Sequence, residues 1–134
     1  MHNKKLGNDF EEVLCELLAA NGYWAHNMAQ KRNGQPADVI AVKDNRAVLI
    51  DCKVCSTKVG FDLNRIEENQ KLSMELWRDC GNGSGWFACL MPDGMIYMLD
   101  IVPLLRLRKV KSAITLREIR ELGTEFTRWV VTQW

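Results

Sequence analysis

At 134 residues, 47% hydrophobic and 26% charged, the chain has the size and composition of one ordinary globular domain spanning 1–134. A net charge of +1 excludes a protein that meets nucleic acid through a global basic field, so any basic surface must be local. No apolar run approaches the roughly 18 residues that span a bilayer, the start Met1-His2-Asn3-Lys4-Lys5 has no apolar segment of an export signal, and five cysteines, an odd number, point to free thiols in a reducing cytoplasm. The short, compact chain is compatible with a bacterial or phage gene.

In chain order, the spacing of Phe10, Val13, Leu14, Leu17 and Leu18 predicts a helix over 8–21, with Asn8 as N-cap, Glu11 three residues on, and Asn21-Gly22 as the stop. A strand over 23–29 and a polar loop over 30–36 follow. Residues 37–43 and 46–54, rich in Val, Ile and Ala, predict a hairpin around Asp44-Asn45, two residue types that tolerate positive φ. A second helix is expected over 65–80, N-capped by Asn64 with Glu67 three residues on. The glycine-rich stretch 81–85 lacks the lysine of a phosphate loop and reads as a turn. Strands over 86–91 and 95–101 flank Pro92-Asp93-Gly94. A short helix over 103–108, a helix from the capping-box sequence at Thr115 to Gly123, and a final strand over 126–131 complete the order α-β-β-β-α-β-β-α-β. The fold class is α/β, a single domain with a mixed central β-sheet flanked by helices.

The chemistry concentrates in the first hairpin. A two-residue turn makes Lys43 and Arg46 the first cross-strand pair, and stepping outward sets Asp38 opposite Asp51. Side chains alternate along a strand, so Lys53 shares the face of Asp51 while Cys52 points away. Opposed carboxylates repel. Lys53 neutralises one charge, and a divalent cation with a taste for hard oxygen ligands, Mg²⁺ or Mn²⁺, would neutralise more. An ion held there activates water and stabilises charge on a phosphoryl oxygen, with Lys53 as a point charge beside it. At ~100° per residue, Glu11 lies at the edge of the apolar stripe of the first helix and can reach the sheet, whereas Glu12 points to solvent.

Pro36-Ala37-Asp38 followed by Asp51-Cys52-Lys53 resembles the motif of PD-(D/E)XK nucleases, with Ala set between Pro and Asp. Gly7-Asn8-Asp9-Phe10-Glu11, and residues 66–70 followed by Trp86-Phe87-Ala88, are similar to Holliday junction resolvases of the RecU and archaeal types. The resemblance covers roughly residues 7–100 and implies a restriction-endonuclease-like core, α-β-β-β-α-β. It implies a Mg²⁺-dependent homodimeric endonuclease that cuts four-way DNA junctions to leave 5′-phosphates. In it Asp38, Asp51 and the Cys52 backbone carbonyl bind metal, Lys53 serves the water or the transition state, and Glu11 binds a second metal or orients water. Gln70 would contact a phosphate or metal-bound water, or is a solvated helix residue. Another nuclease of the superfamily, restriction-like or repair, and a non-catalytic DNA- or protein-binding module on the same fold stay open as alternatives.

Lys31 and Arg32 in the loop before the hairpin, together with Arg65, Arg106, Arg108 and Lys109, are the candidate DNA contacts. Trp129, Val130, Val131 and Trp134 are candidates for a dimer surface. Cys52 and Cys55 have C-x-x-C spacing, but residues three apart on one strand face opposite sides, which argues against a zinc or redox pair.

Overall fold

A computed structural model describes residues 2–28 and 35–132. Eight strands and five α-helices follow in the order α1 (His2–Ala20), β1 (Trp24–Asn27), β2 (Val39–Lys43), β3 (Arg46–Val54), β4 (Phe61–Asp62), a 3₁₀ turn (Leu63–Arg65), α2 (Glu68–Asp79), β5 (Trp86–Leu90), β6 (Ile96–Asp100), α3 (Ile101–Arg108), β7 (Ala113–Ile114), α4 (Leu116–Leu122), β8 (Thr124–Glu125) and α5 (Phe126–Thr132). Six strands form one sheet in the order β1-β2-β3-β5-β6-β8, and β4 pairs with β7 separately. Only β3 and β5 run parallel, because α2 carries the chain back between them. The expected mixed sheet flanked by helices is therefore observed.

Two apolar layers cover the sheet. On one side Phe10, Leu14 and Leu18 of α1 and Phe126, Trp129 and Val130 of α5 pack on Val39, Val48, Ile50 and Met98. On the other, Ile66, Met74, Leu104 and Ile119 pack on Leu49, Phe87, Cys89 and Leu99. Strand alternation sorts the residues between the two layers.

The hairpin forms as its sequence dictates. Asp44 and Asn45 take φ of 51° and 64°, the paired left-handed conformation that matches the twist of the flanking strands. Registers Lys43↔Arg46, Val42↔Ala47, Ala41↔Val48, Ile40↔Leu49 and Val39↔Ile50 follow. The ladder ends there. Asp38 does not pair with Asp51 as expected: its amide donates to the Ile50 carbonyl at 3.1 Å, and its own carbonyl accepts from Met28 at 2.8 Å. β3 thus outruns β2, and residues 51–54 keep a sheet neighbour only on the β5 side.

Four expected boundaries change. The first helix begins at His2 and runs through Asn8, which is not its cap. Asn64 does not open a helix; Asp62 accepts from the Asn64 amide to cap a 3₁₀ turn, and α2 begins only at Glu68. The helix expected over 103–108 starts earlier, at Ile101, because the Asp100 carboxylate accepts from the Val102 amide at 2.9 Å. The expected final strand over 126–131 is the helix α5. The β-branched run Val130-Val131-Thr132 favours a strand locally, but Phe126, Trp129 and Val130 recur at i, i+3 and i+4 and all three are buried. Trp129 and Val130 are therefore core, Val131 alone of the described dimer candidates is exposed, and Trp134 lies outside the described residues. By contrast the Thr115–Glu118 box closes reciprocally: Thr115 N–H donates to Glu118 Oε1 at 2.9 Å, and Glu118 N–H donates to Thr115 Oγ1 at 3.1 Å.

Gly60 lets the chain entering β4 close against the end of β7 and the start of α4. Its φ is +77°, and a Cβ there would lie 2.3 Å from the Ile114 carbonyl oxygen, a backbone atom that cannot swing aside. Gly60→Ala should cost about 2–4 kcal/mol, the sum of a left-handed penalty and overpacking. Urea unfolding measures it, and a loss under about 0.5 kcal/mol, the scatter of ordinary surface changes, would contradict the packing described.

Candidate active site at the open edge of β3

The site forms where β2 stops and β3 continues. Asp51 and Lys53 lie on the α2 side of the sheet, with Leu49 and Phe87, while Cys52 packs toward α1. Cys55 joins the α2-side core, so the two cysteines do face opposite layers, and all five cysteines are free thiols. Asp51 is 1% exposed and Lys53 8%.

Asp38 reaches the gap left by its own strand. Its Oδ2 accepts from the Cys52 amide at 2.8 Å, and its Oδ1 accepts from Gln35 Nε2 at 3.1 Å. A carboxylate oxygen thus replaces the backbone acceptor that a continued β2 would have offered. The site gains a charge without leaving a strand amide unpaired.

Gln70, in the first turn of α2, is held at both ends. Its Oε1 accepts from the Glu67 amide at 3.2 Å, which leaves Nε2 to donate to Asp51 Oδ1 at 2.7 Å. It is a buried partner of Asp51, so the alternative of a solvated helix residue does not hold. The other oxygen, Asp51 Oδ2, is ion-paired with Lys53 Nζ at 2.9 Å. The Lys53 ammonium also stands 5.8 Å from the Phe87 ring centroid.

The electrostatics match this crowding. Burial pushes the Asp51 carboxyl up to about 7; the Lys53 charge pulls it down and the Asp38 charge adds to the rise. Glu11, half-buried on α1, is also pushed up to about 7, first by burial and then by the Asp38 charge, against a hydrogen bond from the Asn27 side chain. Glu12 is exposed, as helix geometry required. Among the described residues no three His, Cys, Asp or Glu side chains stand ready as a metal cage. The donor set still fits a hard cation that keeps several waters: two neighbouring carboxylates balanced by one lysine, and Glu11 close enough to feel Asp38.

Beside Cys52, a cleft of about 500 Å³ opens on the α1 side of β3, lined by Gly7, Val54, Ser56, Gly60 and Arg65 among others. Of the candidate DNA contacts, Arg65 lines this cleft. Arg106 and Lys109 do not; they line a groove between α2 and α3. Arg108 donates from Nη1 to the Ile66 carbonyl at 3.1 Å and ties α3 to the start of α2. Lys31 and Arg32 lie outside the described residues. Gln35, Asn27 and the Cys52 amide were not anticipated. Gln35 carried a usable signal, a polar side chain three residues before Asp38; Asn27 is brought in only by the pairing of β1 with β2.

Residues 3–65, just under half of the chain, match the family Mrr_cat, described as restriction endonuclease. No curated protein sequence matches significantly. The matched residues include Asp38, Asp51 and Lys53, and over them the chain is similar to restriction endonucleases. Among solved structures, the Holliday junction resolvase Hjc from Archaeoglobus fulgidus, an archaeal hyperthermophile, superposes with a TM-score of 0.69 at 17% identity, over 92% of this chain and 99% of that one. The likeness in fold therefore runs well past residue 100, where the sequence resemblance ended.

A carboxyl raised in the folded state binds a proton that the unfolded chain has already released, so ionising it costs stability. Metal-free protein should accordingly lose stability as pH rises from about 4 to about 7 and level off above. The Asp51 share is on the order of a few kcal/mol. Urea unfolding in EDTA across this range tests it: Asp51→Asn should flatten the slope, and a wild type that gains stability over the same window would contradict the electrostatics.

Proposed function

We propose that the chain is a divalent-metal-dependent DNA endonuclease that resolves four-way junctions. The observation that carries it is the pair of neighbouring carboxylates, Asp51 and Asp38, set against the single ammonium of Lys53 at an uncovered sheet edge. Two such charges against one are costly in an apolar layer and suit a divalent cation. Asp38, Asp51 and the Cys52 carbonyl would hold Mg²⁺, with Mn²⁺ as substitute. It would supply an activated water and neutralise charge on a phosphoryl oxygen.

The chain's own groups do the rest. Gln70 fixes the Asp51 carboxylate by holding Oδ1, so the second oxygen keeps its aim. Lys53 lends an ammonium to the charge that builds on the phosphate in the transition state. Glu11, with a carboxyl raised to about 7, is poised near the operating pH to orient water and take its proton. Arg65, which lines the cleft beside Cys52, would contact the DNA backbone. The products carry 5′-phosphates. Two symmetric cuts in a junction call for a two-fold homodimer. No described helix is long and apolar enough to cross a membrane.

The resolvase assignment rests on fold likeness to Hjc, whereas the restriction-endonuclease match favours a second reading, a nuclease that cuts duplex DNA. A cleavage assay in Mg²⁺ with four-way junction and linear duplex of the same sequence separates them. Paired nicks in the junction arms and an intact duplex are expected; equal cutting of both moves the assignment to the second reading, and binding without cleavage in Mg²⁺ and Mn²⁺ refutes catalysis. Asp38→Asn, Asp51→Asn and Lys53→Ala should each slow cleavage on the order of 10²–10³-fold or more, with a smaller loss for Glu11→Gln.

A further inference from the structure

The α2–α3 face carries a feature the catalytic site does not use. A groove of about 200 Å³ between the two helices has an apolar floor that includes Met74, Val102 and Leu105, and Arg78, Arg106 and Lys109 on its rim. All three cations are exposed, and none has an ion-pair partner among the described residues. One carboxylate, Glu75, also lines the groove and stands 4.0 Å from Lys71. A cation near a helix C-terminus is favoured by the dipole, which accounts for a basic residue at the end of each helix. It does not account for three gathered around one groove, where like charges line the same opening. An anionic partner balances that charge.

We propose that this groove holds the phosphate backbone of a DNA duplex on the flank of the cleaved position, with Arg78, Arg106 and Lys109 as its contacts. This rests on the nuclease reading and extends it to a second part of the substrate. The spacing supports it. Gln70 touches Asp51 in the first turn of α2, and Arg78 lies eight residues further along the same helix, about 12 Å at 1.5 Å per residue. That is three to four base-pair steps of duplex at about 3.4 Å each. One helix therefore carries a contact to the site at one end and a cationic edge at the other. Arg108, turned inward to Ile66, is excluded from the contact set.

The test is the salt dependence of binding, measured by anisotropy of a labelled four-way junction in EDTA from 50 to 300 mM KCl, settings of roughly the range over which counterion release is read. Each phosphate contact contributes about 0.9 to the slope of log K against log salt. The triple variant Arg78→Gln, Arg106→Gln, Lys109→Gln should have a slope shallower by about 2–3, unchanged melting, and cleavage retained at low salt. Arg117→Gln, on α4 and already paired with Glu121, is the control and should change little. A junction whose arms end within about three base pairs of the cut should bind wild type with the shallow slope of the variant. An unchanged slope in the triple variant, with cleavage intact, overturns the groove and leaves the nuclease standing. A changed oligomer mass with an unchanged slope assigns the groove to a second copy of the chain and equally overturns it. Wild type that binds no DNA overturns both proposals.

Discussion

A carboxylate taken out of water loses solvation worth several kcal/mol unless fixed charges and donors replace it, and Asp51 sits 1% exposed with an apolar layer around it. What surrounds it follows from that cost. Lys53, two residues on, shares its face because strands alternate. Gln70 supplies one hydrogen bond from α2 and is itself locked by the Glu67 amide. Each group holds one oxygen, but Asp38 adds a like charge from the end of β2. The compensation is incomplete, which is why the carboxyl is raised to about 7. Structural ion pairs are normally completed; an incomplete one at an open edge is where a sheet can accept something from outside.

The hairpin was legible in the sequence because everything that determines it is local. Asp44 and Asn45 choose the turn, the turn sets the register, and alternation distributes Asp51, Cys52 and Lys53 between the faces. Local rules stopped being sufficient one residue beyond the last pair. Asp38 was expected opposite Asp51 by counting, but a strand end is free to peel away when a side chain can take over its hydrogen bonds, and Asp38 does this through Cys52. The two carboxylates still meet, by a route that counting could not supply.

The misread elements have a common cause. In α5, burial of Phe126, Trp129 and Val130 against the sheet overrides the strand preference of Val130-Val131-Thr132. At the start of α2, Asn64 was a reasonable cap by type, but Asp62 caps first, and the chain turns once before the helix proper begins. Gln35 and Asn27 enter the site through pairing and loop placement. Each depends on where a distant segment lies. The capping box at Thr115, which depends on four consecutive residues, was read correctly.

Gln70 gives α2 a second role beyond covering the sheet. Its carboxamide joins the helix directly to Asp51, so a shift of α2 along its axis would break the 2.7 Å bond and free the carboxylate to rotate. Met74, one turn on, opposes such movement: a Cβ on Gly85 would lie only 2.2 Å from its sulfur, so side chain and backbone are already in close contact there. Arg108 adds a tie from α3 to Ile66, just before the helix begins. α2 is therefore fixed near its start and its middle, while its last turn carries Arg78 at the protein surface. A rigid helix of this kind transmits position: whatever seats against its cationic end is held at a set distance from the carboxylate at its other end. Register between a docked backbone and the reactive edge of β3 then needs no moving part, only a helix of the right length.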